Sequence, residues 1–135
     1  MSYPVTDICA IDADEAEALR SAGIRTTEKL LEAAKSPKGR KLLATKTRLD
    51  EKRLLRWANI ADKLRIKGMG KEYAGLLCEV GVETVKELKY RNPARLAQSM
   101  AEANKKRKRV RFLPSEKLVT RWVEHAKRLP LKITY

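Results

Sequence analysis

The sequence predicts an all-α protein built from two tandem copies of one helical unit. Residues 8–30 align with residues 66–88 at an offset of 58, and residues 49–57 align with residues 114–122 at an offset of 65. Helix-capping residues recur at matching places in the two copies, and no segment alternates apolar and polar residues over the length of a strand. A repeat of this length indicates one supersecondary unit that is used twice.

Capping residues and apolar spacing predict four to five helices in each copy. Asp12 or Gly70 precedes the first helix, and Gly23 or Gly81 follows it at the left-handed C-terminal position. The later helices start at a threonine cap, at a Ser-Pro or Asn-Pro pair, and at an Asp or Ser before the long last helix. The predicted helices are 13–22, those starting at Thr26 and Ser36, and 50–64 in the first copy, and 71–80, those starting at Thr84 and Asn92, and 115–129 in the second.

The charge is large, positive and unevenly distributed. Lysine and arginine number 31 against 17 acidic residues, which gives a net charge of +14. Residues 1–64 carry a net charge of +3, and residues 65–135 carry +11. We expect these two segments to be the two domains, packed as one compact body, and we expect the second to meet a polyanion.

No segment predicts a membrane or secreted location. The sequence contains no run of about 18 apolar residues and no basic-then-apolar leader, so we expect a soluble, cytoplasmic protein without membrane contact. Cys9 and Cys78 lie in apolar surroundings without C-x-x-C spacing. This placement predicts buried thiols that form neither a disulfide nor a metal site.

The stretch "IKGMG" (66–70) places two glycines immediately before a helical pattern. Glycine weakens a helix, so Gly68 and Gly70 predict a tight turn, with Ile66 and Met69 filling the space between two helices. Such a turn exposes backbone N–H groups at a helix start, where the helix dipole also favours an anion. The predicted phosphate-binding residues of this turn are Lys67, Gly68, Met69, Gly70 and Lys71.

The segment "IKGMGKEYAGLLCEVGVETVKELKYRNPARL" resembles the tandem helix-hairpin-helix domains of strand-exchange recombinases, nucleotide-excision nucleases and bacterial DNA ligases. The chain is more closely similar to domain-of-unknown-function family 4332. That similarity lies in "YPVTDI" (3–8), "LLRWANIAD" (54–62), "RNP" (91–93), "VRFLPS" (110–115) and the ending "LPLKITY". The resemblance implies two SAM-like helix-hairpin-helix units that grip sugar-phosphate backbones, and it implies no established reaction.

The first copy departs from the helix-hairpin-helix pattern. Its turn "ICAID" (8–12) has Ala10 and Asp12 where the pattern has glycines, and a carboxylate there repels phosphate. We therefore predict a purely structural turn. Lys46 replaces a glycine in the next hairpin of this copy, and the second copy has the longer "MAEANKKRKRVRF" (100–112) in its place.

The run "KKRKRVR" (105–111) has six cations in seven residues. Charge runs are often solvated loops, but this one belongs to the copy that keeps its glycine turn, so we interpret it as a second phosphate contact near that turn. Its predicted contact residues are Lys105, Lys106, Arg107, Lys108, Arg109 and Arg111. Weaker candidates are Arg65, Arg91 and Arg95.

Other conspicuous residues favour structural roles. Trp57 and Trp122 recur on apolar faces and are predicted to be core anchors, while Tyr73 is predicted to pack beside the glycine turn. His125 lies on a predicted helix without a cluster of cysteines or carboxylates. We find no catalytic motif, and we expect no enzyme, no cofactor and no metal.

The sequence predicts a non-catalytic protein that binds nucleic acid through backbone phosphates, without sequence preference, and DNA in preference to RNA. Two alternatives stay open. Residues 1–64, with their low net charge, suit an adaptor that binds another protein. The basic surface also suits structured RNA.

Overall fold

A computed structural model describes residues 2–135. Within these residues the chain forms eight α-helices, one short 3-10 turn (Val5–Asp7) and no β-strand, which confirms the all-α prediction. None of the helices in this described part is long and apolar enough to span a bilayer. The helices are α1 (Ala13–Ser21), α2 (Thr27–Ala34), α3 (Pro37–Thr47), α4 (Glu51–Lys63), α5 (Lys71–Glu79), α6 (Val85–Lys89), α7 (Pro93–Lys106) and α8 (Glu116–Arg128).

Contacts between residues divide the chain into two units. The first unit comprises Met1–Arg65 and Leu131–Tyr135, and the second comprises Ile66–Pro130. In the first unit α4 packs on α2 and α3, and in the second unit α8 packs on α6 and α7 while α5 packs on α7. Each unit therefore uses its long last helix as the centre of its packing.

The two units repeat the same helix order and core positions. Helices α1 and α5 have nine residues each, and α4 and α8 have 13 each. Gly23 and Gly81 follow α1 and α5 with φ angles of +85° and +88°, in the left-handed region that favours glycine. Trp57 in α4 and Trp122 in α8 are completely buried, which confirms their prediction as core anchors.

The helix starts are those that the capping residues predict. A side-chain oxygen of the residue before the helix accepts a backbone N–H of the first turn in seven of the eight helices, and this satisfies a donor that has no partner inside the helix. These capping residues are Asp12, Thr26, Ser36, Asp50, Thr84, Asn92 and Ser115. The exception is α5, which begins after Gly70.

The C-terminal segment Leu131–Tyr135 is hydrogen-bonded to the first unit, whereas the sequence leaves it with the second copy. Thr134 donates its N–H to the carbonyl of Lys35 at 2.7 Å, and the carbonyl of Thr134 accepts from the buried Arg40 guanidinium at 2.8 Å. These partners lie 94 and 99 residues earlier in the chain. No local sequence pattern marks so distant a pairing.

Candidate nucleic-acid interface

The turn before α5 requires a glycine at one position. Met69 donates its N–H to the carbonyl of Ile66 at 3.1 Å, and Gly68 between them has a φ of +83°. A side chain at Gly68 is strained by this backbone angle. Its Cβ would also lie 3.5 Å from Leu118 Cδ1 and 3.6 Å from the Trp122 indole nitrogen. The turn is therefore seated directly on α8.

Gly70 leaves the start of α5 without a side-chain cap. Its φ of −111° and ψ of 174° suit any residue, and an added Cβ would meet only Glu72 Oε2 at 3.8 Å. The backbone does not need a glycine here, so what Gly70 provides is open space. Within residues 2–135 no acceptor pairs with the N–H groups of Gly68 and Gly70. The amide of Gly70 is thus available at the positive end of a nine-residue helix, and that of Gly68 is available in the turn just before it.

The neighbouring amides of the turn already have partners. Lys67 donates its N–H to His125 Nδ1 at 3.0 Å, which ties the turn to α8 and leaves only the side chain of Lys67 for a ligand. Met69 uses its N–H to close the turn, and its side chain is 1 % exposed. Of the five residues predicted for this site, Met69 therefore packs the turn, and the side chains of Lys67 and Lys71 are exposed.

A face of α8 with two exposed arginines, here called the cationic face, lies beside the turn, and no sequence motif marks it. An open depression of about 530 Å³ is lined by Lys67, Gly68, Leu118, Arg121, His125 and Arg128. Arg121, His125 and Arg128 are spaced four and three residues apart, so they share one side of the helix. The sequence alone shows this spacing. It does not show that α8 lies next to the glycine turn, which follows from the packing of Trp122 under Gly68.

The basic run at 105–111 is an ordered part of the second unit. Lys105 and Lys106 form the last turn of α7. Asn104 Oδ1 then accepts the N–H groups of both Arg109 and Val110, at 2.8 and 3.1 Å. The segment is consequently held in a fixed path rather than left as a solvated loop.

Two of its six cations face an acid. Arg109 Nε lies 2.7 Å from Glu79 Oε1, and Arg107 lies 3.8 Å from the same oxygen. Arg109 is partly buried, whereas the other five cations are exposed. The cations most available to a ligand are therefore those without this acid: Lys105, Lys106, Lys108 and Arg111.

The end of the basic run reaches the first turn of α5. The Tyr73 hydroxyl donates to the carbonyl of Phe112 at 3.0 Å, and the Tyr73 ring lies 5.2 Å from the Trp122 ring. Tyr73 therefore links α5, α8 and the basic run. The glycine turn directly precedes α5 in the chain, and the residue that follows the basic run contacts the first turn of the same helix.

The corresponding turn of the first unit is closed by side chains. Ile11 donates to the carbonyl of Ile8 at 3.1 Å, but Ala10, at the place of Gly68, does not have a positive φ. Asp12 accepts the N–H of Glu15 at 2.8 Å, and Glu15 accepts the N–H of Asp12 at 3.1 Å. This reciprocal capping box occupies the amide of Asp12, whose counterpart at Gly70 stays open in the second unit.

Comparison with protein-family models identifies the chain's relatives. The model described as Domain of unknown function (DUF4332) matches residues 10–129. The chain belongs to this family. The match to DUF4332 includes the glycine turn (66–70), the basic run and α8, so the whole candidate interface lies within the family's domain. Searches of curated proteins and of solved structures found no match.

The remaining predicted residues of this DUF4332 domain lie elsewhere. Arg65 belongs to the first unit and pairs with Asp62 at 3.0 Å; burial raises the pKa of that aspartate, and the charge of Arg65 opposes the rise. Arg91 is half-buried and Arg95 is exposed. Cys9 is exposed, so the prediction that it is buried was wrong. No cluster of potential metal ligands occurs among residues 2–135.

Proposed function

We propose that this DUF4332 domain binds nucleic acids through their backbone phosphates, without sequence preference and without catalysing a reaction, and that DNA is the main target. The observation that carries the proposal is the uncapped start of α5, with the open amides of Gly68 and Gly70. The cations of Lys67, Arg121 and Arg128 surround the same turn. We also infer that the two units are helix-hairpin-helix units and that the protein is cytoplasmic.

A phosphate matches the chemistry of this turn. Its oxygens accept hydrogen bonds from backbone amides, and the helix dipole and an arginine guanidinium both favour the negative charge. Each exposed contact of this kind contributes only about 0.3–1 kcal/mol. Useful affinity therefore needs several phosphates at once, and a nucleic acid provides them in a row along the strongly basic second unit.

Such contacts predict binding without base specificity. Contacts with phosphate and sugar position a protein on a nucleic acid but carry no sequence information. Cations and main-chain amides form the turn and the α8 face, and both types of group recognise phosphates. Affinity should accordingly depend on salt far more than on base sequence.

The salt dependence of binding tests this function. If four to six phosphates are neutralised, a plot of log K against log salt concentration for a labelled duplex should have a slope of about −4 to −5. Fluorescence anisotropy at several salt concentrations measures it. An affinity that does not change with salt contradicts the proposal.

Replacing part of the basic run tests its contribution. Changing Lys105, Lys106, Arg107, Lys108 and Arg109 to alanine should flatten the slope. A sharper variant changes only Lys105, Lys106 and Lys108 and leaves the arginines near Glu79 in place. Loss of three contacts lowers the magnitude of the slope by about 2 to 3 units. An unchanged slope would show that this run makes no phosphate contact.

A second candidate function, a protein-interaction adaptor, is favoured by the surface of the first unit. The turn before its first helix is closed by Asp12 and Glu15. On α3 the side chain of Leu42 is 62 % exposed, in an open depression that is also lined by Lys38 and Lys41. Capture of a partner that survives nuclease and high salt, and is lost on Leu42→Glu, would support this function.

Structured RNA remains the alternative nucleic-acid target because phosphates are common to both polymers. Competition among duplex DNA, single-stranded DNA and folded RNA at one salt concentration separates the targets. Our proposal expects DNA to compete at least as well as folded RNA.

A further inference from the structure

Phe112 presents a largely exposed aromatic ring at the end of the basic run. Its side chain is 73 % exposed, although Val110 and Pro114, two positions before and after it, are buried. The Phe112 carbonyl is also held by the Tyr73 hydroxyl at 3.0 Å. The backbone that carries the ring is therefore anchored by a buried residue on each side and by a hydrogen bond to its own carbonyl.

A cation lies over the same ring. The guanidinium carbon of Arg111 is 5.7 Å from the centre of the Phe112 ring. An open depression of about 370 Å³ adjoins the ring and is lined by Glu72, Tyr73, Arg109, Val110, Arg111 and Phe112. An exposed aromatic ring with a guanidinium nearby, next to further cations, is a combination with which proteins hold the bases of single-stranded nucleic acids.

We propose that Phe112 and Arg111 form a stacking platform for an unpaired nucleobase, so that the preferred ligand is a nucleic acid with single-stranded nucleotides. This inference rests on the proposed function, because the exposed cations Lys105, Lys106 and Lys108 must first hold the phosphates of the same strand. The cations beside the ring favour a negatively charged ligand, so we expect the ring to contact a base attached to phosphates rather than an apolar protein surface.

The platform discriminates between single strands and duplexes. Every base has a π-face, so stacking is tolerant of sequence and agrees with binding that is not sequence-specific. A base inside a duplex is already stacked, and its extrusion costs free energy. The ring can therefore add affinity for single strands, loops and ends while it adds almost none for an intact duplex.

A pair of matched variants tests the platform. Phe112→Leu keeps an apolar side chain but removes the π-face. Tyr90→Leu is the control, because Tyr90 belongs to the same unit, is 75 % exposed and has Lys89 Nζ 5.3 Å from its ring centre. The probes are an oligothymidylate and a blunt duplex of equal length, titrated by fluorescence anisotropy at one salt concentration and then at several.

Phe112→Leu should weaken oligothymidylate binding by about 5- to 100-fold and duplex binding by less than about 2-fold. The slope of log K against log salt should stay the same, since no phosphate contact is removed. Phe112→Tyr should restore most of the affinity for the oligothymidylate, and Tyr90→Leu should change neither probe. Circular dichroism checks that each variant keeps its helices.

The outcomes separate this inference from the proposed function. Salt-dependent binding of both probes by the native chain, with Phe112→Leu unchanged, overturns the platform and leaves the proposed function intact. An equal loss of affinity for both probes also overturns it, because removal of a ring that stacks only on unpaired bases should not weaken duplex binding. If the native chain binds neither probe, both the proposed function and the platform are wrong.

Discussion

The two turns that precede α1 and α5 share one scaffold and differ in what they leave open. In each, the fourth residue donates its N–H to the carbonyl of the first at 3.1 Å, and a nine-residue helix follows. Asp12 closes the first turn with a capping box, whereas Gly70 leaves the second uncapped. The same turn thus precedes a capped helix start, the closed corner, in the first unit and an uncapped helix start, the open corner, in the second.

The long helices next to these turns differ in the same direction. The α8 positions of Arg121, His125 and Arg128 correspond, at the offset of 65, to Arg56, Ile60 and Lys63 in α4. Ile60 and Lys63 are buried, so only one member of the cationic face is exposed in the first unit. The first unit therefore differs from the second both at the turn, where Asp12 replaces Gly70, and on the long helix, where fewer basic side chains are exposed.

The largest expected effect is on stability, through the buried tryptophan that each unit contains. Trp57→Ala and Trp122→Ala should each lower the free energy of unfolding by about 3–5 kcal/mol, because each leaves a large cavity in an equivalent core. Denaturant unfolding followed by circular dichroism measures both. A cost below about 1 kcal/mol in either variant would break the structural equivalence of the two units.

Charge reversal on the long helices tests the functional difference. Arg121→Glu combined with Arg128→Glu should weaken nucleic-acid binding by about 10- to 100-fold at moderate salt and reduce the magnitude of the salt slope by about 2 to 4 units. The matched variant Arg56→Glu changes the exposed equivalent in the first unit and should alter affinity by less than about 2-fold. Equal losses from both helices would contradict the assignment of binding to the second unit.

Gly70→Asp converts the open corner into a copy of the closed one. The new carboxylate should accept a first-turn amide and repel phosphate, so affinity should fall by about 3- to 10-fold. The free energy of unfolding should rise by only about 0.3 kcal/mol. Gly70→Ala is the control: it adds no charge, fits the φ of −111°, and should bind nearly as well as the native chain. Unchanged affinity in Gly70→Asp would show that the turn before α5 is not part of the binding site.

The smallest expected effect is a pH response confined to the first unit. Hydrogen bonds from Lys35 and Lys132 lower the pKa of Glu32 from its ordinary 4.5 to about 2. Because the folded pKa is lowered, this stabilisation is present above pH 4.5 and is lost as the pH falls toward about 2. Acid should therefore loosen Leu131–Tyr135, to which Lys132 belongs, and Glu32→Gln should remove that pH dependence. Amide exchange rates in this segment give the measurement; identical pH profiles for both chains would contradict it.

Local signals explain what the sequence predicted well. The cap before each helix is adjacent to the helix that it starts, so the observed bounds of α1, α4, α5 and α8 differ from the predicted ones by only one residue at either end. Gly68 was identifiable because its left-handed backbone admits few other residues. The closing of the first turn by Asp12 followed the same local logic.

Contacts between distant segments explain what the sequence did not reveal. The bond from the Lys67 amide to His125 spans 58 residues, and the Tyr73 bond to Phe112 spans 39. No local sequence motif predicts either hydrogen bond. Arg121 and Arg128 became candidates only when packing brought α8 under the turn, and Arg109 proved to be paired with Glu79.

The most direct test follows the backbone amides of both turns while nucleic acid is added. Amide proton–nitrogen correlation spectra of the native chain, titrated with an oligonucleotide at low salt, report each turn separately. We expect the signals of Gly68 and Gly70 to shift progressively and to return when salt is raised, while those of Ala10 and Asp12 stay in place. Unmoved glycine signals in a saturated complex, or equal shifts in the two turns, would contradict the claim that the open corner of the second unit holds phosphate.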